Sequence, residues 1–268
     1  MKQEMPMKYK IAFIGAGKMA EGILAAIDDV STVVMAEKVA ARAEELRKRH
    51  GVAVTDDLAL AAKSARMVFL SVRPQDVDDV ARVVKPVLKP TQVLVSIVAG
   101  KTLARLRRAF GSSARIVRVM PNLALRAKAG MCAICAAPNA KKGDVAAVER
   151  ILGGAGRTVV LAERHFDAVT ALSGSGPAYF AYMAKAMAEA GRALGLDREA
   201  ALLLSEQTMY GTAKFLLESG MPLDPFIDGV CTKGGTTAAG MEKLAPSDFA
   251  KVVSDTLAAA ARRSKELA

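Results

Sequence analysis

The stretch Lys10-Ile11-Ala12-Phe13-Ile14-Gly15-Ala16-Gly17-Lys18-Met19-Ala20 constrains this chain more than any other. An apolar run ends in Gly-x-Gly, and a helix-forming stretch opens at once behind it. That is the order a dinucleotide-binding βα turn requires. Gly15 permits the tight turn, Gly17 removes the Cβ that would block a pyrophosphate, and the new helix presents free N–H groups to phosphate. Ala20 takes the third small position, where only close packing of helix on strand is needed. Val33-Val34-Met35-Ala36-Glu37 then reads as a second strand ending in an acid, roughly 20 residues past the first glycine, the spacing of a ribose-binding carboxylate.

Apolar runs at 10–15, 32–36, 67–72, 93–98, 115–119, 131–136 and 158–161, with a short one at 51–55, alternate with helical stretches at 18–28, 39–50, 56–62, 75–88, 102–109 and 141–154. This alternation predicts a mostly parallel sheet covered on both faces. From His165 onward no strand is evident, and 178–194, 198–219 and 247–267 are rich in Ala, Leu and Met. Gly195 reads as a helix stop, and Asp197 and Ser247 as N-caps. The expected architecture is an α/β Rossmann-type domain over 1–164 followed by an all-α domain over 165–268. The run Tyr179–Met187 is apolar on more than one face, as in a core helix or one that completes its core by dimerising.

With 52% hydrophobic residues the chain can bury a sizeable core, yet no stretch is long enough to span a bilayer. The beginning lacks a signal-peptide pattern, Met1–Lys8 reads as a loose tail, and a cytoplasmic location is expected. Net charge is +11, but basic residues such as Arg42, Arg47, Lys48 and Arg49 are interspersed with acids, and aromatic content is 4%. That favours a solvated surface over a nucleic-acid interface. Three cysteines give no disulfide framework. Cys132-x-x-Cys135 has metal or redox spacing, but no second pair or nearby His completes a site, so buried thiols and no metal are expected.

Two further segments join glycine to hydroxyl residues before a helical run: Ser173-Gly174-Ser175-Gly176-Pro177 and Thr232-Lys233-Gly234-Gly235-Thr236-Thr237. Each fits either a capped helix start or a nest for a small carboxylate. These segments, with Gly15-Ala16-Gly17, Ser71-Val72-Arg73-Pro74-Gln75, Arg118-Val119-Met120-Pro121-Asn122 and Asp167–Tyr179, closely resemble the pyrroline-5-carboxylate reductase family, from Ile11 to about Leu267.

The resemblance implies NAD(P)H-dependent reduction of 1-pyrroline-5-carboxylate to L-proline, the last step of proline biosynthesis. It implies a cofactor held by Gly15, Gly17, Lys18, Met19 and Ala20, with Glu37 and Lys38 at the ribose. Val72, Arg73, Pro74 and Asn122 then lie along the nicotinamide half. It further implies that Thr232, Gly234, Gly235, Thr236 and Thr237 bind the cyclic imine carboxylate. By the same resemblance the Thr237 hydroxyl is expected to reach the ring nitrogen as the catalytic group. A homodimer, with dimers assembled into a decamer, is implied as well. The two histidines, His50 and His165, read as surface or boundary residues. Glu37 favours NADH, whereas Lys38 and Arg42 offer a grip for the extra phosphate of NADPH.

Departures from the family surround the substrate. Thr232-Lys233 replaces its usual Ser-Pro, the loop 218–228 lacks its His-Pro pair, and 123–130 is unusually basic. They leave two alternatives: a paralogue reducing another cyclic imine acid, and a non-catalytic NAD(P)-binding regulator.

Overall fold

The computed structural model describes residues 7–267. The tail expected over Met1–Lys8 falls mostly outside them; Met7 and Lys8 lead into the first strand. Eight strands form one sheet: β1 (Tyr9–Ile14), β2 (Val33–Ala36), β3 (Ala53–Thr55), β4 (Ala65–Leu70), β5 (Val93–Ser96), β6 (Arg115–Pro121), β7 (Gly130–Ala136) and β8 (Gly156–Val160). Their order is β3-β2-β1-β4-β5-β6-β7-β8. All neighbours pair parallel except β6 and β7, which pair antiparallel. Between β6 and β7 the chain has only a 3₁₀ segment, Leu123–Ala127. That is too short for a crossover helix, so the chain must reverse.

Successive strand residues feed two cores. Ile11, Phe13, Met35 and Phe69 face one side, with Phe13 and Phe69 stacked at 4.9 Å. Three helices cover that side: α1 (Lys18–Leu24), α2 (Ala40–His50) and a later one at Lys142–Gly153. Ala12, Ile14, Val68 and Leu70 face the other, beneath α3 (Leu58–Lys63), α4 (Val77–Val84) and α5 (Leu103–Phe110). The helix at Lys142–Gly153 is α6. This is the doubly wound arrangement, and the chain changes direction across the sheet between β1 and β4.

Cys132 and Cys135 are three apart on β7, so their side chains lie in opposite cores. They cannot meet as a pair. Burial pushes both thiols up to about 12, in Cys135 with the added repulsion of Glu163.

Two helices are shorter than expected. The stretch 18–28 is α-helical only to Leu24, after which Ala26 and Ile27 donate to carbonyls three residues back and tighten the chain toward β2. The stretch 75–88 is α-helical only over α4, with 3₁₀ turns at Pro74–Asp76 and Lys85–Val87. Pro86 has no N–H to continue the ladder.

The chain divides into two compact units. One comprises the sheet domain to Ser175 with the last residues from Ala260; the other spans Gly176–Ala259. The second unit is helical: α8 (Gly176–Ala193), α9 (Arg198–Ser219), α10 (Leu223–Val230), α11 (Thr236–Leu244) and most of α12 (Phe249–Leu267), after the short α7 (Phe166–Val169) of the first unit. Asp197 caps α9 by accepting from the Ala200 N–H at 2.9 Å, and Gly195 turns with φ of 99°. Ser247 accepts from the Phe249 N–H at the start of α12 at 3.3 Å. Large apolar side chains stay exposed on α8 and α9, including Phe180, Tyr182, Tyr210 and Leu217. No helix among the described residues is long and apolar enough to cross a membrane.

Candidate active site

β1 delivers Gly15 to the switch point, beside the end of β4. Gly15 has φ of 92°, and a Cβ there would run into the Ser71 carbonyl and stand 2.9 Å from Val72 Cγ1. Only glycine fits. Gly17 differs: its added Cβ would meet no protein atom within 4 Å. It is the N-cap of α1 and no side chain caps that helix, so the first N–H groups of α1 lack helical acceptors. Ala20 is fully buried against the core. A tight turn, an open position and uncapped amides make a cradle fit for a pyrophosphate.

The cradle opens into a cleft of about 600 Å³. Of the residues singled out in the sequence, Gly15, Gly17, Glu37, Lys38, Val72 and Arg73 line it. Lys18, Met19 and Ala20 follow in α1, and Pro74 opens the 3₁₀ turn behind Arg73. Asn122 stands elsewhere, at the end of β6: its Oδ1 accepts from the Met131 N–H at 3.1 Å and its Nδ2 donates to Ser173 Oγ at 3.4 Å. Glu37 follows β2, and its Oε1 accepts from the Val39 N–H at 2.9 Å, which fixes the carboxylate. Arg73 is exposed and paired with Asp76 at 2.9 Å. Sequence reasoning did not foresee the acids Asp56, Asp76 and Asp79 that also line this cleft.

Arg42 does not line the cleft. Its guanidinium donates to Glu21 and Glu45, each at 2.7 Å, and to the Ala16 carbonyl at 3.4 Å. Arg49 and His50 join it on Glu21 Oε1 at 2.9 and 2.8 Å. His50 is thus a boundary residue that partners a buried acid, and Arg42 turns inward to the same acid, while Arg49 reaches it from an exposed position. A sequence signal existed: positions 42, 49 and 50 share one helical face. Burial raises the Glu21 pKa, but hydrogen bonds from His50, Arg42 and Arg49 outweigh it and hold the carboxyl at about 2, against an ordinary 4.5. A depressed carboxyl stabilises the fold above its unfolded pKa and loses that contribution as pH falls through the folded one. The urea midpoint is therefore expected to drop between pH 4.5 and about 2, and a Glu21→Gln variant to show a flatter profile there.

The Ser173–Pro177 segment leads into α8, which starts at Gly176, but what precedes that start is itself helical. A π-helical turn over Thr170–Gly174 joins α7 to α8, and the Ser175 N–H donates to the Thr170 carbonyl at 2.9 Å. The Ser175 amide is thus spent within the chain. Gly174 is needed for packing, since a Cβ would stand 2.6 Å from Met120 Cε.

In the helical unit, Gly235 is the N-cap of α11, and no side chain caps it. The Gly235 N–H is already used, donating to the Thr232 carbonyl at 2.9 Å in a turn that Gly234 closes with φ of 72°. A Cβ on Gly235 would strike Thr232 Oγ1. The unpaired amides are instead those of Thr236, Thr237 and Ala238, the first turn of α11. Thr232, Gly234, Thr236 and Thr237 are all exposed, as is Lys233. The Thr237 hydroxyl has no hydrogen-bond partner among the described residues. An uncapped amide turn with two hydroxyls can receive a carboxylate.

Comparison with known proteins gives one answer. Residues 163–267 match the family model for pyrroline-5-carboxylate reductase dimerisation, and residues 10–100 the model for coenzyme F420-dependent NADP oxidoreductases. A pyrroline-5-carboxylate reductase of Synechocystis is 36% identical over 97% of this chain and 99% of its own. That of Arabidopsis thaliana is 35% identical over 97% of this chain and 95% of its own. The structure of a pyrroline-5-carboxylate reductase from Coxiella burnetii superposes with a TM-score of 0.93 at 30% identity, covering 97% of this chain and 99% of that one. The Plasmodium falciparum pyrroline carboxylate reductase with NADP bound gives 0.85 at 27% identity, covering 98% and 99%. Full-length identity of this size, over a doubly wound domain with a glycine cradle and a helical unit with an uncapped Gly-Gly-Thr-Thr turn, means that the chain belongs to the pyrroline-5-carboxylate reductase family.

Proposed function

We propose that this protein reduces 1-pyrroline-5-carboxylate to L-proline with NAD(P)H, the closing step of proline biosynthesis. The observation that carries this is the cradle at Gly15 and Gly17 in a chain that also holds the Thr232–Thr237 turn. Bound at the cleft, the reduced nicotinamide supplies the hydride that turns the C=N bond of the ring into C–N. The protonated ring is already an electrophile, so the protein's own task is orientation.

Residues 1–164 serve as the dinucleotide domain and 165–268 as the substrate and dimerisation domain. Gly15, Gly17, Lys18, Met19 and Ala20 hold the pyrophosphate through backbone amides, and Glu37 and Lys38 meet the ribose. Val72, Arg73 and Pro74 support the nicotinamide half together with Asn122, whose amide braces β7. Thr236 and Thr237 offer amides to the substrate carboxylate. Gly234 and Gly235 shape that turn, Thr232 braces it, and the Thr237 hydroxyl bonds the ring nitrogen. Exposed apolar side chains on α8 and α9 support a homodimer built through the helical unit, with a decamer as its further assembly. The location proposed is the cytoplasm.

Thr237→Ala tests the assignment. One lost orienting bond is worth about 1.4 kcal/mol, roughly tenfold in kcat/KM for the imine. Calorimetric affinity for NADH is expected to stay unchanged. Equal turnover by both proteins would remove Thr237 from the mechanism. Lys233, exposed beside Gly234, favours a second reading in which a related cyclic imine acid turns over better; a panel of ring sizes distinguishes the two.

A further inference from the structure

Cofactor choice in this cleft turns on where its cations point. The ribose end is formed by Glu37 and Lys38, with Asp56 on the same lining. Arg42 lies in the first turn of α2, just after them, and a free guanidinium there would reach the same mouth. It is not free. Glu21 takes it at 2.7 Å, and it touches the cleft lining through a 3.4 Å contact with the Ala16 carbonyl. Glu45 also holds it at 2.7 Å but is far more exposed, so solvent weakens that pair. Glu21 is only 8% exposed, and Arg49 and His50 fix it from the other side. Glu37, pinned by the Val39 N–H, keeps a second oxygen to accept from ribose hydroxyls and to repel a 2′-phosphate.

We propose that Glu21 is a positioning residue for cofactor selection: it holds Arg42 against the glycine turn, away from the ribose, and so makes the site prefer NADH over NADPH. This rests on the cleft being the dinucleotide site. It also settles the competition between Glu37 and Arg42 in favour of the acid, because Arg42 is already satisfied elsewhere.

The test is direct binding of NADH and NADPH by calorimetry, with the full chain. Wild type is expected to bind NADH about tenfold more tightly, the scale of one charge–charge interaction at a partly solvated site. Glu21→Gln keeps the side-chain shape but removes the charge, which loosens the hold on Arg42, and the ratio is expected to move toward NADPH by about fivefold or more. Adding Arg42→Ala to that variant is expected to restore the original ratio. Arg42→Ala alone is expected to weaken both dinucleotides alike. An unchanged ratio in Glu21→Gln, or a selective loss of NADPH in Arg42→Ala, would overturn the proposal. If wild type bound neither dinucleotide, the cleft assignment itself would fail and this inference with it.

Discussion

Gly15→Ala is expected to cost both cofactor binding and stability. At φ of 92° an L-residue is strained, and the new methyl would run into the Ser71 carbonyl and stand 2.9 Å from the Val72 side chain. The turn cannot retreat easily. The Gly15 N–H donates to the Ala36 carbonyl at 3.1 Å, and the Ser71 N–H to the Ile14 carbonyl at 2.9 Å, so three strand ends share the strain. A loss of about 3 kcal/mol in stability follows, seen as a fall of several degrees in Tm. Affinity for NADH should fall more than about 100-fold, because the amides of α1 are displaced from their aim. Gly17→Ala separates the two effects. Its methyl meets no protein atom, so Tm should hold while binding is still lost to the filled cradle. Thermal melts and calorimetric titration of both variants check this; wild-type affinity in Gly15→Ala would contradict it.

Glu163→Ala is expected to give the largest purely structural loss. Arg118 on β6 is 4% exposed. Its Nη1 donates to Glu163 Oε1 at 2.7 Å, and its guanidinium lies 4.6 Å from the centre of the Phe166 ring. The same Oε1 accepts from the Leu103 N–H at 2.6 Å, which starts α5. Removing the carboxylate strands a buried cation and a helix amide together. Breaking such a pair costs about 3 kcal/mol, discounted from the upper range because Glu163 is itself partly exposed. Glu163→Gln keeps an acceptor and should lose about half as much. Urea denaturation should show a shifted midpoint with an unchanged slope. An alanine variant as stable as wild type would show that the pair is not holding β6, α5 and α7 together.

Most of the sheet was legible because its strands are continuous apolar runs, as buried parallel strands must be. The turn at Gly15 and the helix start at Gly17 were legible because both are set by the backbone alone. What stayed hidden depended on long-range pairing. Glu21 meets Arg42, Arg49 and His50 across 21 to 29 positions, and the helical face that these three share does not say which acid they meet. The π-helical turn before α8 was hidden for a related reason: Gly174 lies against Met120, distant in sequence, and no local pattern shows that neighbour. The Thr232 turn consumes the Gly235 amide, which places the free amides one residue onward in α11, and that too is not visible in the sequence. In each case packing decided the hydrogen-bond partners.

The central claim is tested most directly by mixing the purified protein with 1-pyrroline-5-carboxylate and reduced cofactor. The oxidation of the nicotinamide and the appearance of L-proline are then followed together. The account predicts that both proceed at equal stoichiometry, with faster turnover on NADH than on NADPH. Tight cofactor binding with no proline formed would contradict it.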